Sequence, residues 1–214
     1  MKLVIMTKPT FFVEEDKILA TLFEEGMESL HLYKPGAEPV YTERLLTLLP
    51  EDYRKRITVH DHFYLKDEFR LKGIHLDDAS APLPAGYKGS VGRTCCRLDD
   101  LKEMKKHSNY VFLQVGFDGQ GRTGTTGSVV ADNAVNGNNK MQTEDLQEAC
   151  RRGLIDKRVY AMGGLTLENM RVAKELGFGG VVVCDDLWDR FDIHHEMDYK
   201  ELLAHFDKLR KAVG

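Results

Sequence analysis

Histidine, tyrosine and aspartate side chains recur along three short β-rich runs in the first half of the sequence. The first run alternates His31 and Tyr33 with leucines, the second ends at His60, and the third places His75 two residues before Asp77. Imidazole and carboxylate groups commonly transfer protons in enzymes, and imidazole also binds zinc. The pattern fits acid–base chemistry, with His31, Tyr33 and His60 as candidate catalytic residues, or a metal site.

A metal-dependent hydrolase is one interpretation of these residues. His60 and His62 are alternate residues of one run, so their side chains share a face, and His75 and Asp77 lie nearby in sequence. The spacing fixes no fourth ligand. The alternative for each histidine is a purely structural role, as a core or rim residue whose hydrogen bonds are satisfied.

Two turns near the carboxyl terminus are candidates for phosphate binding. Gly163 and Gly164 lie between a β-rich run and a helical segment, and Cys184 and Asp185 close the next run. Glycine lets backbone N–H groups approach an anion, and a helix amino terminus adds a favourable potential. We expect these four residues to bind phosphate through their backbone, with a simple tight turn as the alternative, and the carboxylate of Asp185 opposes an anion there.

Eight β-rich runs alternate with helical segments along the chain. The runs are Lys2–Met6, Ser29–Tyr33, Ile57–His60, Gly73–Leu76, Ser90–Thr94, Tyr110–Val115, Val159–Met162 and Gly180–Cys184. The helical segments are 13–26, 39–49, 98–107, 143–153, 166–177 and 199–213. Most runs are continuously apolar or β-branched, which is typical of parallel strands buried on both faces. Eight regular units without a linker predict one α/β domain over 1–214, a (β/α)₈ barrel, in preference to a doubly wound open sheet.

A barrel would bring the candidate residues to one end. Side chains alternate along a strand, so Leu30, Leu32, Ile74 and Leu76 are expected to pack outward under the helices. The polar residues between them then point inward, toward the carboxyl-terminal end where the active sites of such barrels lie.

The segment 116–139 departs from the regular pattern. It contains six glycines and four asparagines and follows the sixth run, so it leaves the carboxyl-terminal end of the barrel. We expect it to be poorly ordered without ligand, because it is glycine-rich and has few apolar anchors. Its G-x-G-x-x-G match at 119–124 is not followed by a helical pattern, which argues against dinucleotide binding.

Composition excludes several classes of function. The 214 residues carry 30 basic and 34 acidic side chains, a net charge of -4, so no basic field attracts nucleic acid. No apolar run reaches the roughly 20 residues that a membrane helix needs. Four cysteines without a C-x-x-C pair fit the reducing cytoplasm. We therefore expect a cytoplasmic protein whose partner is a small molecule, and the sequence leaves homo-oligomers open.

The chain resembles the thiamin phosphate synthase/TenI superfamily over nearly its whole length. The matching segments, in order, are Gly-Met-Glu-Ser-Leu-His-Leu-Tyr-Lys-Pro-Gly at 26–36, Val-His-Asp at 59–61, Gly-Ile-His-Leu at 73–76, Ala-Met-Gly-Gly-Leu at 161–165 and Gly-Val-Val-Val at 180–183. The resemblance implies a barrel of thiamin biosynthesis or salvage that binds a phosphorylated heterocycle. Its synthases join a pyrimidine diphosphate to a thiazole phosphate and release pyrophosphate with the help of Mg²⁺. Its TenI members are thiazole tautomerases that need proton transfer and a phosphate site but no metal.

The resemblance assigns site residues only in part. It implies Asp61 as a Mg²⁺ ligand and Asp77 as a displaced candidate for the second, if the chain is a synthase. Two cationic residues of the family's second strand fall at Tyr33 and Pro35, with Lys34 adjacent. These replacements weaken the diphosphate end of the site.

Further equivalents lie on the fifth and sixth strands. Cys96 falls near the position of the tautomerase histidine, and Arg122 and Thr123 are nearest to the family's threonine–lysine segment. Cys96 is therefore a further candidate catalytic residue, and Arg122 and Thr123, with Lys34 and Thr94, complete the predicted phosphate-binding set.

The resemblance favours a member that binds or converts a thiazole phosphate, an isomerase of the TenI kind with a weakened diphosphate and Mg²⁺ site. A genuine thiamin-phosphate synthase, which is a transferase, is the first alternative. A ligand-binding regulator without catalysis and a metal-dependent hydrolase on the same barrel are the others.

Overall fold

Eight parallel strands close into a barrel in sequence order, with the last strand paired to the first. This computed structural model describes residues 1–116, 143–191 and 199–214. The strands are β1 Lys2–Met6, β2 Leu30–Leu32, β3 Ile57–Val59, β4 Gly73–Leu76, β5 Ser90–Cys95, β6 Tyr110–Gln114, β7 Val159–Met162 and β8 Gly180–Val183. The predicted (β/α)₈ barrel is confirmed, and the open sheet was the wrong alternative. The predictions made for the glycine-rich segment beyond residue 116, and for Arg122 and Thr123, lie outside the described residues.

Helices cover the outside of the barrel. Within the described ranges they are α1 Glu15–Glu24, α2 Pro39–Leu48, α3 Glu51–Arg54, α4 Leu65–Glu68, α5 Leu101–Met104, α6 Thr143–Arg151, α7 Met170–Glu175, α8 Asp185–Trp188 and α9 Lys200–Val213. A 3₁₀ turn, Leu98–Asp100, leads into α5. The connection from β4 to β5, described throughout, has no helix, so the helical layer is incomplete there. Among the described residues, no helix has the length and apolar content needed to cross a bilayer.

The core divides into two apolar clusters on opposite faces of the barrel wall. The outer cluster packs strands against helices and includes Leu30, Leu32, Ile74 and Leu76, as predicted from the alternation. In the part of the chain that the structure describes, the inner cluster has four buried members, Val4, Phe112, Tyr160 and Val182. The small inner cluster leaves the rest of the interior to polar side chains.

Strand register decides which polar side chains meet inside. Thr58 pairs with Gly73 and Val59 with Ile74, so His60 follows β3 at the level of His75 in β4. Gly92 of β5 faces the same space, and a Cβ there would overlap Tyr110 and His75. The barrel interior therefore closes tightly around the histidines.

Candidate active site

Three buried histidines lie side by side in the barrel interior. Their ring nitrogens are within 4.8 Å of one another. The Nδ1 atom of His31 is 2.9 Å from Nε2 of His60. The rings of His60 and His75 stack with centroids 4.5 Å apart. The two predicted catalytic histidines, His31 and His60, are thus brought into direct contact.

A carboxylate joins the histidines to the open end of the barrel. Nδ1 of His60 lies 2.9 Å and 3.0 Å from the two carboxylate oxygens of Asp77, the residue after β4. The side chain of His60 is fully buried, whereas that of Asp77 is 31% exposed. Asp77 can therefore meet a ligand while it is held from within by His60.

The directions of these hydrogen bonds follow from the chemistry of the groups. A carboxylate only accepts, so His60 donates its Nδ1–H to Asp77 and its Nε2 accepts the Nδ1–H of His31. Nε2 of His31 lies 3.4 Å from the hydroxyl of Tyr110. Burial keeps His31 neutral by lowering its pKa well below the usual value, with lesser contributions from His60 and Lys72. Burial also raises the pKa of Tyr110, so the phenol keeps its proton and donates it. In the Tyr110–His31–His60–Asp77 series, every donor points toward the carboxylate.

His75 flanks the series without belonging to it. Its Nε2 is 2.9 Å from the hydroxyl of Thr94, and its Nδ1 is buried without a hydrogen-bond partner. Burial lowers the pKa of His75 well below the usual value, helped by the nearby charges of His60, His31 and Arg93. Thr94, a predicted phosphate ligand, thus directs its hydroxyl to a neutral imidazole inside the barrel.

Two further groups, Asp61 and Tyr33, interact with Asp77. Burial raises the pKa of Asp61, and the charge of Asp77 raises it further against the opposing effect of His60. Burial also raises the pKa of Tyr33, and the charges of Asp77 and Asp61 add to it. The Tyr33 ring lies 5.4 Å from that of His60. The charge of Asp77 thus acts on both Asp61 and Tyr33, and two carboxylates near each other are a donor set of the kind that Mg²⁺ prefers.

The histidine arrangement gives the hydrolase interpretation little support. His62, predicted to share a face with His60, has a φ of 51° and places its Nε2 2.8 Å from the carbonyl oxygen of Ala37. Both ring nitrogens of His60 are also engaged already, Nε2 by His31 and Nδ1 by Asp77.

The predicted phosphate turn has the backbone that its glycines suggested. Gly163 and Gly164 both have positive φ, 99° and 65°, a conformation that residues with a Cβ rarely adopt. The side chain of Asn169 donates to the carbonyl oxygen of Gly164 at 2.6 Å and accepts the N–H of Thr166 at 2.8 Å. The turn between β7 and α7 is therefore held in one shape.

The neighbouring turn after β8 contains the partly buried thiol of Cys184. The Sγ atom of Cys184 donates to the carbonyl oxygen of Thr7 at 3.5 Å. Burial raises the pKa of Cys184, and the charge of Asp185 raises it further. Any contact of Cys184 with phosphate would therefore come from its backbone.

Lys34 has a different environment from the one expected of a phosphate ligand. Its ammonium donates to Glu15 at 2.6 Å and to the carbonyl oxygens of Lys8 and Thr10 at 3.0 Å each. These three bonds use all three donors, so phosphate contact would require the displacement of Glu15. Lys34 therefore does not replace the two cationic residues that fall at Tyr33 and Pro35.

Cys96 lies at the rim, where its thiol is 3.4 Å from the amide oxygen of Gln114. Burial raises its pKa and Asp100 adds to the effect, so Cys96 is a protonated thiol at neutral pH. A protonated thiol is a poor replacement for the tautomerase histidine as a base.

Tyr110 was not among the predicted site residues, and His75 was predicted only as a possible metal ligand. The signal for Tyr110 was present, because Tyr110 and Phe112 alternate with Val111 and Leu113 along β6. Val111 and Leu113 belong to the outer cluster, which leaves Tyr110 and Phe112 for the interior.

Comparisons with known proteins identify the family. No protein-family model matches the chain, and no curated protein matches it. Among solved structures, the thiamine phosphate pyrophosphorylase of Bacteroides thetaiotaomicron is 42% identical, with coverage of 100% of this chain and 98% of that one and a TM-score of 0.84. The thiamine phosphate pyrophosphorylase of Pyrococcus furiosus is 17% identical over 99% and 95% of the two chains, with a TM-score of 0.71. A 3-hexulose-6-phosphate synthase, 14% identical over the full length of both chains with a TM-score of 0.61, shares the fold alone. On the full-length identity of 42%, this chain belongs to the thiamin phosphate synthase/TenI superfamily, a family of thiamin biosynthesis.

Proposed function

We propose that the chain binds a phosphorylated thiazole at the carboxyl-terminal end of the barrel and isomerises it by proton transfer. The observation that carries the proposal is the Tyr110–His31–His60–Asp77 series, which ends at a partly exposed carboxylate. Carboxylate–histidine pairs of this kind are typical of acid–base sites. The proposal follows the TenI branch of the family, with Asp77 in place of the missing histidine.

The reaction needs one base and one acid. Asp77 would take a proton from a carbon atom of the substrate, so one C–H bond breaks and its electron pair stays in the heterocycle. Asp61, whose pKa is raised, would donate the proton that forms the new C–H bond. The substrate is neither oxidised nor reduced. His60 and His31 position Asp77 and keep its oxygens oriented.

The phosphate of the substrate would lie on the turn at Gly163 and Gly164. Two successive residues with positive φ expose backbone N–H groups at the same end of the barrel as Asp77. The backbone of Cys184 and Asp185 stays part of the proposed phosphate site. Phosphate would thus bind after β7 and β8 and proton transfer would take place after β4, all at the carboxyl-terminal end of the barrel.

We expect the thiazole phosphate to raise the melting temperature of the protein by about 3–6 °C at ten times its dissociation constant. The same thiazole alcohol without phosphate should give a much smaller shift. Gly164→Ala strains the turn and should lose most of the difference, whereas Gly153→Ala, at a remote glycine with a φ of 67°, should keep it. Equal shifts with and without phosphate, or an unchanged shift in Gly164→Ala, would contradict the proposal.

A synthase is the second candidate, favoured by the paired carboxylates of Asp61 and Asp77 and by the 42% identity with a thiamine phosphate pyrophosphorylase. These two carboxylates would hold Mg²⁺, which supplies positive charge to a departing diphosphate when bound. However, Tyr33 and Pro35 carry no charge, and Lys34 is occupied by Glu15.

We therefore expect Mg²⁺-dependent coupling of the pyrimidine diphosphate with the thiazole phosphate to be weak or absent. The loss of one preorganised donor typically costs a factor of about 10²–10³ in rate. Pyrophosphate release is the measurement. Rapid turnover that Asp61→Ala abolishes would identify a synthase instead. Ligand binding without turnover in either assay would leave a regulator.

A further inference from the structure

A buried arginine lies on the outer face of the barrel, beneath the gap in the helical layer. Arg93 of β5 points outward, between Val91 and Cys95 of the outer cluster, and only 7% of its surface is exposed. The connection from β4 to β5 passes over it without a helix. The gap leaves a cavity of about 310 Å³ lined by Ala79, Ser80, Ala81, Pro82, Arg93, Glu103, Met104 and His107.

Among the described residues, the guanidinium of Arg93 forms no ion pair with a carboxylate. Its Nη1 donates to the carbonyl oxygens of Ala79 and Ala81, at 3.0 Å and 2.9 Å, and its Nε–H has no hydrogen-bond partner. In the part of the chain that the structure describes, no carboxylate oxygen lies within 4.0 Å of it. Buried charges in proteins are normally paired, because an isolated charge away from water is costly.

The acidic groups nearby are held by other residues. The carboxylate of Asp78 accepts from the N–H and the hydroxyl of Ser80. Glu103, at the cavity wall, binds Lys106 at 2.6 Å and His107 at 3.1 Å. Hydrogen bonds from Ser80 lower the pKa of Asp78, and the charge of Arg93 lowers it further. Within the described ranges, Arg93 is thus attracted to the exposed Asp78 but forms no ion pair with a carboxylate.

We propose that this cavity binds a small organic carboxylate, which supplies the missing negative charge to Arg93. The planar guanidinium matches the geometry of a carboxylate. Ala79, Ala81, Pro82 and Met104 offer apolar surface to a short hydrocarbon chain. The carboxylate of Glu103 opposes a dianion, which favours a monocarboxylate over phosphate.

The site is distinct from the candidate active site. Arg93 points to the outside of the barrel, whereas its neighbour Thr94 directs its hydroxyl to His75 in the interior. The segment that Arg93 holds through two carbonyl oxygens begins two residues after Asp77. Carboxylate binding at Arg93 is therefore independent of the proposed isomerisation.

Butyrate is a suitable probe, and butyramide is its uncharged counterpart. At matched ionic strength, butyrate at ten times its dissociation constant should raise the melting temperature by about 3–6 °C. Butyramide should not. The shift should be lost in Arg93→Gln and kept in Arg171→Gln, which removes an exposed guanidinium of α7 that pairs with Glu175.

A second pair of variants keeps the test valid if Arg93→Gln fails to fold. Ala79 is exposed and lines the cavity, so Ala79→Phe should fill the space and abolish the butyrate shift while it retains Arg93. Ala85→Phe, at an exposed position of the same connection outside the cavity, should leave the shift intact. The absence of a butyrate-induced shift in the unmodified protein, or an unchanged shift in Ala79→Phe, would overturn the site. A phosphate-induced shift that Ala79→Phe abolishes would overturn the choice of carboxylate.

Discussion

Asp77→Asn is expected to slow proton transfer on the thiazole phosphate by a factor of about 10²–10⁴, the usual contribution of a positioned general base. The amide keeps the size of the carboxylate and an oxygen that accepts the Nδ1–H of His60, so the fold should survive. The amide is not basic, however, so it cannot take the proton from the substrate. Incorporation of solvent deuterium into the thiazole phosphate measures the rate, and a thermal shift measures binding separately.

Asp78→Asn is the matched control for this prediction. Asp78 is adjacent in sequence, but it is exposed and its carboxylate binds only Ser80 among the contacts that the structure gives. Its replacement should leave the rate within a factor of about 3, because surface changes away from a site are small. Equal losses in Asp77→Asn and Asp78→Asn would indicate a general disturbance of the loop rather than the loss of a base.

The barrel was predictable because strand geometry fixes it locally. The alternation of leucines with His31 and of Ile74 and Leu76 with His75 decides which side chains face outward, whatever the rest of the chain does. Glycine predicted the turn at 163–164 for a similar reason, since two successive positive φ angles are a local property. These predictions needed no knowledge of distant contacts.

The hydrogen-bonded series was not predictable, because it depends on register between strands. His60 meets Asp77 and His75 only because Thr58 pairs with Gly73. A shift of one residue would turn His75 outward and leave the same sequence pattern. Helix α7 also begins at Met170 rather than at the predicted Thr166, because Asn169 bonds to the turn before it.

The ion pair of Lys34 was also not predictable from the sequence, because it joins two distant segments of the chain. Its sequence position suggested a phosphate ligand, since it lies beside the lost cations of the second strand. Its partner Glu15 is 19 residues away on α1, and the two meet only through the packing of that helix. Tertiary contacts of this kind leave no periodic signal.

Lys34→Met is expected to lower the free energy of unfolding by about 3–5 kcal/mol, because it leaves the carboxylate of Glu15 buried without a countercharge. Both side chains are 2% exposed and lie 2.6 Å apart. Urea denaturation at pH 8 measures the loss. Glu14→Gln breaks the exposed pair with Lys17 and should cost less than about 1 kcal/mol.

The double variant Glu15→Gln with Lys34→Met separates the ion pair from its surroundings. It removes both charges, so it should be less destabilised than Lys34→Met alone. Burial raises the pKa of Glu15 from 4.5 to about 7, against the opposing attraction of Lys34. The folded protein thus binds this proton more tightly than the unfolded chain, and the contribution of Glu15 to stability falls as pH rises from about 4.5 to about 7. Glu15→Gln should lack that decline, and a double variant as unstable as Lys34→Met would show that the two charges are not coupled.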